Sequence, residues 1–368
     1  MITYTYKLYK TKRTAKLDAM LREACGVWNH ALALQKRYYS LFGGYINIIR
    51  LQKHFAKRIK RNLLTAQTVQ EVLQRLDNSY KRFFNHLSKR PPKFKGENSF
   101  SSIVFKQDGY KITDNVFVIN AIKSHFKFFY SRPIQGKKCR VIIKRSKIGD
   151  YFLYVITDAI QVQIENGQTH SGASVGMDFG LKTFLTLSDG NKVENPLFFK
   201  KSLSELRKKS KAFSKTKSNS NNHKKRKKEL ERCYENIRNR RDDWQWKTCH
   251  ELCRRYATIC VEDLSLLGMT RLWGRKVNDL AFGSFIQKLE HVASKYGAKV
   301  VKVDRFYPSS KTCSVCQYVN EHLSLRNRRW VCPVCGTSHD RDLNASVNIL
   351  RQGIASSGSI RKTVFVRR

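Results

Sequence analysis

Apolar positions in the first 165 residues follow two different periods. Residues 2–9 (ITYTYKLY) alternate β-branched or aromatic residues with others, which predicts a short strand. Leu17, Leu21, Ala24, Trp28 and Ala31 then recur at spacings of four and three, which places them on one face of a helix ending near Gly43-Gly44. A second stripe, Val69, Leu73, Leu76, Tyr80, Phe83 and Leu87, predicts a helix within Thr65 to Ser88, which the Arg90-Pro91-Pro92-Lys93-Phe94-Lys95-Gly96 run stops. From Phe100 to Val162 the pattern changes to short strands (FSSIVF, GYKI, VFVI, FKFFY, CRVIIK, YFLYVIT) separated by Asp-Gly, Asp-Asn, Gly-Lys and Gly-Asp. This predicts a small β-barrel. The strand at 2–9 has no partner nearby in sequence, so it is expected to join that barrel, with the helical lobe inserted between.

A polar spacer, Glu165 to Ser171, separates this half from one of α/β character. ASVGMDFG, KTFLTLSDG and NKVEN read as a β-meander. A basic helical hairpin, a strand (ATICVED), a helix over 278–296 and another strand (AKVVKVD) follow. The expected organisation is a barrel from 1–10 and 89–165, a helical lobe from 11–88, an α/β domain from 172–304 and 337–350, a cysteine-bearing insertion at 305–336, and a basic, Gly/Ser-rich tail at 351–368.

Charge narrows the function. Lys and Arg number 72 against 28 Asp and Glu, a formal net charge of +44, while 41% hydrophobic residues leave ample material for packed cores. A disordered basic tail is excluded, and a polyanion, nucleic acid above all, is the implied partner. No run of 18 apolar residues exists and MITYTYKLYKTKRT lacks an apolar h-region, so the expectation is a soluble intracellular protein without membrane contact. Basic residues crowd Lys200 to Lys228; Lys208, Lys209, Lys224, Lys225 and Arg226 are candidate phosphate contacts there, against the blander reading of a solvated face. Trp273, Tyr307 and Trp330 could stack on bases, although such residues are more often core.

Four of the ten cysteines form Cys313-Ser-Val-Cys316 and Cys332-Pro-Val-Cys335, fifteen residues apart. That spacing closes a tetrahedral Zn²⁺ site with no open position, a structural ribbon or knuckle. Gly336 suits the tight turn of the second pair, while Gln317 stands after the first, where a glycine is common.

Three acids sit where strands or helices end. Asp178 follows Ala173-Ser174-Val175-Gly176-Met177, Glu262 follows Thr258-Ile259-Cys260-Val261, and Asp342 lies in His339-Asp340-Arg341-Asp342-Leu343-Asn344-Ala345, where a helix should begin. Such carboxylates suit Mg²⁺, or Mn²⁺, and two such ions can drive phosphodiester hydrolysis. Each acid also has an ordinary explanation: Asp178 in a turn, Glu262 in a salt bridge, Asp340 or Asp342 as a helix N-cap.

The ordered set GMDFGLKTF, IRNRRDDWQWK, CVEDLSL, FYPSSKTCSVC, CPVCG and HDRDLNASVNIL, with LQRLDNSYKRFF and PPKFKG upstream, resembles the transposon-encoded TnpB (OrfB) family, which is similar to the type V CRISPR effectors. The resemblance covers most of the chain, more weakly over residues 10–85. It implies a RuvC-like, RNase H-like nuclease domain with an inserted zinc ribbon, behind an N-terminal wedge barrel that carries a helical recognition domain. It implies catalytic and magnesium-binding roles for Asp178, Glu262 and Asp342. Asp342 is preferred to Asp340 because the family's third acid directly precedes x-Asn-Ala; Arg341 is a candidate substrate contact. The implied activity is Mg²⁺-dependent cutting of double-stranded and single-stranded DNA, directed by a guide RNA from the transposon end and by a short DNA motif read by the protein. One chain per guide, in the cytoplasm of a prokaryotic host with access to the nucleoid, is the favoured setting. The alternatives are a non-catalytic RNA- or DNA-binding regulator and a transposase that performs strand transfer.

Overall fold

The computed structural model describes residues 1–58, 62–97, 99–106, 109–159, 172–264, 274, 279–324 and 327–363. The chain divides into two compact units, Met1–Gln161 and Val162–Arg368. Among the described residues no helix is long and apolar enough to cross a membrane.

In the first unit, strand β1 (Ile2–Lys7) leads into helix α1 (Thr14–Phe42), where Leu17, Leu21, Ala24, Trp28 and Ala31 are buried, and Gly43 closes the helix in the left-handed conformation. Helix α2 (Ile48–Arg58) was not foreseen: its basic residues mask a stripe of only two buried positions, Leu51 and Phe55. Helix α3 (Ala66–Phe84) is capped by Thr65, which accepts from the Thr68 amide at 3.2 Å. The PPKFKG segment is pinned along α1: Trp28 Nε1 donates to the Lys93 carbonyl at 3.1 Å, and Asn29 exchanges hydrogen bonds with both main-chain groups of Lys95, each 2.8 Å.

Strands β2 (Ser102–Lys106), β6 (Lys138–Arg145) and β7 (Tyr151–Thr157) form an antiparallel sheet in the order β1-β7-β6-β2. The leftover strand thus pairs with β7, in register from Ile2↔Thr157 to Lys7↔Phe152. Strands β3 (Tyr110–Thr113), β4 (Val116–Ile119) and β5 (Ser124–Lys127) make a second, three-stranded sheet. A bridge between Leu8 and Phe128 links the two sheets, and one hydrophobic core runs from Leu17 and Trp28 through Phe105, Phe117 and Leu153. The polar spacer at 165–171 lies outside the described residues.

The second unit is built on a five-stranded sheet, order β10-β9-β8-β11-β12. Strands β8 (Ser174–Phe179), β9 (Thr183–Leu187) and β10 (Lys192–Glu194) form the meander. After a short helix α4 (Phe198–Lys201), the basic hairpin is α5 (Leu203–Ser214) and α6 (Asn221–Arg255). Strand β11 (Thr258–Glu262) pairs parallel to β8; helix α7 (Phe282–Tyr296) crosses over to β12 (Lys299–Val303), parallel to β11. The strands are apolar because both faces are covered. Val175, Met177 and Val261 face Phe282, Phe285 and Leu289, while Cys260 faces Ile349 and Leu350 of the last helix.

Two short strands, β13 (Arg329–Val331) and β14 (Ser338–Asp340), pair around the second cysteine knuckle, so the cysteine module extends to Asp340, four residues past the boundary expected at 336. Helix α8 (Arg341–Thr363) then runs through the boundary expected at 350. Composition marked 351–368 as a tail, but Gly353 is buried against Cys260, and tertiary packing carries the helix across the Gly/Ser-rich stretch.

Candidate active site and metal centre

Strand register puts the first two acids side by side. The β8–β11 pairing runs from Ser174↔Thr258 to Met177↔Val261. One residue further along each strand stand Asp178 and Glu262, at the carboxyl ends of adjacent parallel strands, and with a side-chain period of two they share the face of Gly176 and Cys260. Helix α8 covers that face. It comes this close because two residues lack side chains: a Cβ on Gly176 would overlap the Ser346 carbonyl oxygen, and one on Gly353 would overlap the Cys260 thiol. The first turn of α8 carries Asp342.

The two acids of HDRD divide their roles. Asp340 caps α8, accepting from the amides of Asp342 at 3.0 Å and Leu343 at 3.2 Å, with Lys192 3.6 Å away. Burial alone would raise its carboxyl, but those amides and the lysine hold it below the ordinary range. Asp342 instead faces the acid pair. The Asp178 carboxyl is pushed up to about 8, first by burial and then by the negative charges of Asp342 and Glu262, with Arg341 and Arg328 opposing. Glu262 is also raised, by burial and then by Asp263. Arg328 Nη1 reaches both Asp342 oxygens, at 3.0 and 3.1 Å, and Arg305 pairs with Asp263. A buried carboxyl at a strand end, raised further by two neighbouring carboxylates, calls for a compensating cation, and oxygen-only donors suit a hard divalent ion.

The four cysteines converge: their Sγ atoms all lie within 4.8 Å of one another. The two knuckles have the same turn, with the Gln317 amide donating to the Cys313 carbonyl at 3.0 Å and the Gly336 amide to Cys332 at 2.9 Å. Gln317 takes the left-handed conformation, φ +67°, that Gly336 takes at +70°. The absent glycine therefore costs about 1 kcal/mol of backbone strain and leaves the geometry intact. Four thiolates so arranged fit Zn²⁺. His339, buried against the Trp330 ring, has Nε2 3.1 Å from Cys313 Sγ, placed to donate to that thiolate.

The module is clamped to α8. The buried Asn344 amide donates to the Thr312 carbonyl at 2.7 Å and its oxygen accepts from the Ser314 amide at 2.9 Å. One turn on, Asn348 donates to the Ser309 and Thr312 carbonyls at 2.9 and 2.6 Å. The Asn-Ala signature is thus a fastening between the cysteine module and the helix that carries Asp342. Arg341 belongs to the same fastening, donating to the Ser324 carbonyl at 3.2 Å.

Within IRNRRDDWQWK, Asp242 and Gln245 make scaffold contacts. Half-buried Lys288 of α7 pairs with Asp242 at 2.7 Å and donates to Gln245 Oε1 at 2.7 Å, while Gln245 Nε2 donates to the Leu280 carbonyl at 2.9 Å. These bonds fix the start of α7, where Ala281 has φ +48°. Paired Asp and Lys on separate helices were the signal that could have revealed this.

Of the candidate phosphate contacts, Lys208, Lys224 and Lys225 are exposed, whereas Lys209 is ion-paired to Glu205 at 2.5 Å and Arg226 to Glu229 at 3.0 Å. Trp330 is buried in the cysteine module and Tyr307 packs beside Cys260 and Ile349; Trp273 lies outside the described residues.

Comparison with known proteins finds matches along both halves of the chain. The OrfB_IS605 family model, "Probable transposase", matches residues 159–272, and the Cas12f1-like TNB domain model matches 282–349. A protein of Streptomyces pristinaespiralis named "Putative RNA-guided DNA endonuclease" is 29% identical over 293 residues, covering 78% of this chain and 72% of its own. A TnpB-like protein of Acanthamoeba polyphaga mimivirus is 31% identical over 197 residues, 49% of this chain and 37% of its own. The fold resembles that of Cas12f1 in a complex with sgRNA and target DNA, with TM-score 0.58 and 16% identity over 92% of this chain and 83% of that one. With its acids on adjacent strand ends, its four-cysteine module and these matches to neighbouring segments, the chain is similar to the TnpB (OrfB, IS605-type) proteins and, in fold, to Cas12f1.

Proposed function

We propose that the chain is an RNA-guided DNA endonuclease that hydrolyses phosphodiester bonds at a RuvC-like, RNase H-like site. The observation that carries this reading is the convergence of Asp178, Glu262 and Asp342, in which Asp342 and Glu262 both raise the Asp178 carboxyl. Asp178, Glu262 and Asp342 would hold Mg²⁺ or Mn²⁺, which supplies Lewis acidity and an activated water when bound. The rest is the work of the chain. Asp340 fixes the start of α8, Asn344 and Asn348 tie that helix to the cysteine module, and the module brings Arg328 against Asp342, where its guanidinium balances charge before a phosphate arrives.

Guide RNA and target DNA are the proposed partners, as the sgRNA and target DNA are for the Cas12f1 complex. A net charge of +44 suits a protein that holds a heteroduplex by its shape and phosphates. The β1–β7 and β2–β6 sheet with its companion is the proposed wedge, α1–α3 the proposed recognition lobe. Incubating the purified chain, its bound RNA and Mg²⁺ with a library of DNA targets tests the reading. Cutting should follow the RNA sequence and vanish in Asp178→Ala, Glu262→Ala and Asp342→Ala; joined strands among the products would point to strand transfer instead.

A further inference from the structure

Where β1 ends, the backbone is held from both sides. The Leu8 amide donates to the Tyr151 carbonyl, the Tyr9 amide to Lys127 and the Phe129 amide to Lys7, each at 2.9 Å. Leu8 and Phe128 turn into the core, 3% and 0% exposed; their neighbours Tyr9 and Phe129 are turned out, 51% and 59% exposed. Among the described residues neither outer ring has an aromatic partner. Gly149, in the β6–β7 turn, has φ +88° and no atom within 4 Å of where a Cβ would sit. The turn is rigid, since the Ser146 amide donates to the Asp150 carbonyl at 2.7 Å and the Asp150 amide to Ser146 Oγ at 3.1 Å. Leu8, Tyr9, Phe129, Gly149, Asp150 and Tyr151 help to line a cavity of about 350 Å³ with a mainly apolar lining.

Single exposed aromatics need no explanation; two rings on one cavity between rigid segments do. Lys7 and Lys10 supply positive charge at its edge, and Asp150, paired with Lys7 at 2.6 Å, supplies an acceptor. Flat aromatic walls, cations for a phosphate and one acceptor match a nucleotide whose base is not paired. We infer that the cavity bounded by Tyr9, Phe129, Gly149 and Asp150 takes one unpaired nucleobase, stacked on an aromatic ring, with its exocyclic amine toward Asp150. The inference rests on the nucleic-acid reading above and concerns the first unit alone.

The test uses the full-length chain freed of co-purified RNA, with labelled 12-mers of oligo(A), oligo(C) and oligo(U) as RNA and oligo(dA), oligo(dC) and oligo(dU) as DNA. Oligo(C) and oligo(dC) substituted with 5-iodocytosine then allow photo-crosslinking and mapping of the adduct by mass spectrometry. Adducts should fall on Tyr9 or Phe129, and the A and C oligomers should bind more tightly than the U oligomers. Phe129→Ala and Tyr9→Ala should each weaken binding about tenfold with unchanged melting temperature, Phe129→Trp should retain it, and Asp150→Ala should narrow the margin over U. The RNA and DNA arms identify which strand supplies the base. Undiminished binding in both alanine variants, or adducts only elsewhere, overturns the pocket and leaves the nuclease reading standing. No binding to any oligomer overturns both.

Discussion

Gly176 of β8 lies so close to Ser346 of α8 that a single added carbon would overlap the Ser346 carbonyl oxygen and stand 2.6 Å from the Leu350 amide nitrogen. This contact sets the height of α8 above the sheet and with it the place of Asp342 beside Asp178. Main-chain atoms cannot swing aside, so Gly176→Ala should cost about 1–3 kcal/mol, lowering the melting temperature by several degrees. DNA cleavage should fall at least tenfold while RNA still co-purifies. Unchanged cleavage would show that the helix need not lie this close.

The raised Asp178 carboxyl makes the metal-free protein sensitive to pH. Its ordinary value is 3.8 and its value in the fold about 8. Between these the folded chain keeps a proton that the unfolded chain has lost, so the stabilisation is complete below the lower value and is lost as pH rises through the upper one. Thermal melts without divalent ions should therefore decline from pH 5 to pH 8, and Asp178→Asn should flatten that decline. Added Mg²⁺ should restore stability most at the alkaline end, where the carboxylate is already ionised. A variant that tracks the parent across the range would contradict the assignment.

Zinc removal should reach the acid site through the asparagine clamp. Elemental analysis should find one zinc per chain, and Cys332→Ser or a strong chelator should remove it. Asn348→Ala leaves the Ser309 carbonyl without its bond, at about 1–3 kcal/mol for a buried group left unpaired, while the Thr312 carbonyl keeps its bond from Asn344. Both changes should reduce cleavage by an order of magnitude or more. Gln317→Gly, which relieves the left-handed backbone, should instead slow zinc release to a chelator.

Charge removal on the hairpin should depend on which lysines are already paired. Neutralising exposed Lys208, Lys224 and Lys225 together should weaken RNA or DNA binding and reduce the slope of log affinity against log salt by up to about 3. Neutralising Lys209 and Arg226, held by Glu205 and Glu229, should change it less. Equal effects would show that those ion pairs open on binding.

Local patterns carried most of the elements and the candidate site into view. The period-two and period-3.6 stripes located β1, α1 and α3, and the C-x₂-C pairs named the four cysteines that converge. Helix α2 escaped because only Leu51 and Phe55 reach the core, too short a stripe to stand out among basic residues. The continuation of α8 beyond residue 350 escaped because it depends on Gly353 meeting Cys260, a contact between residues ninety-three apart that no local window contains. Asp340 and Asp342 were separable by resemblance but not by spacing. Asp340 accepts from the Asp342 and Leu343 amides while Asp342 meets Arg328, a difference fixed only once the helix starts. The roles of Asn344 and Asn348 were hidden for a like reason, since their partners sit over thirty residues upstream.

The central claim is that the three converging carboxylates cut DNA under the direction of a bound RNA. The most direct measurement is to purify the chain with its flanking transposon DNA expressed alongside, sequence the RNA that comes with it, and offer the complex Mg²⁺ and a randomised DNA library. The expected result is a discrete RNA whose 3′ end dictates the cut sequence, with cutting abolished in Asp178→Ala and RNA retained. A bound RNA with no cutting in Mg²⁺ or Mn²⁺, or cutting that persists in Asp178→Ala, would contradict it.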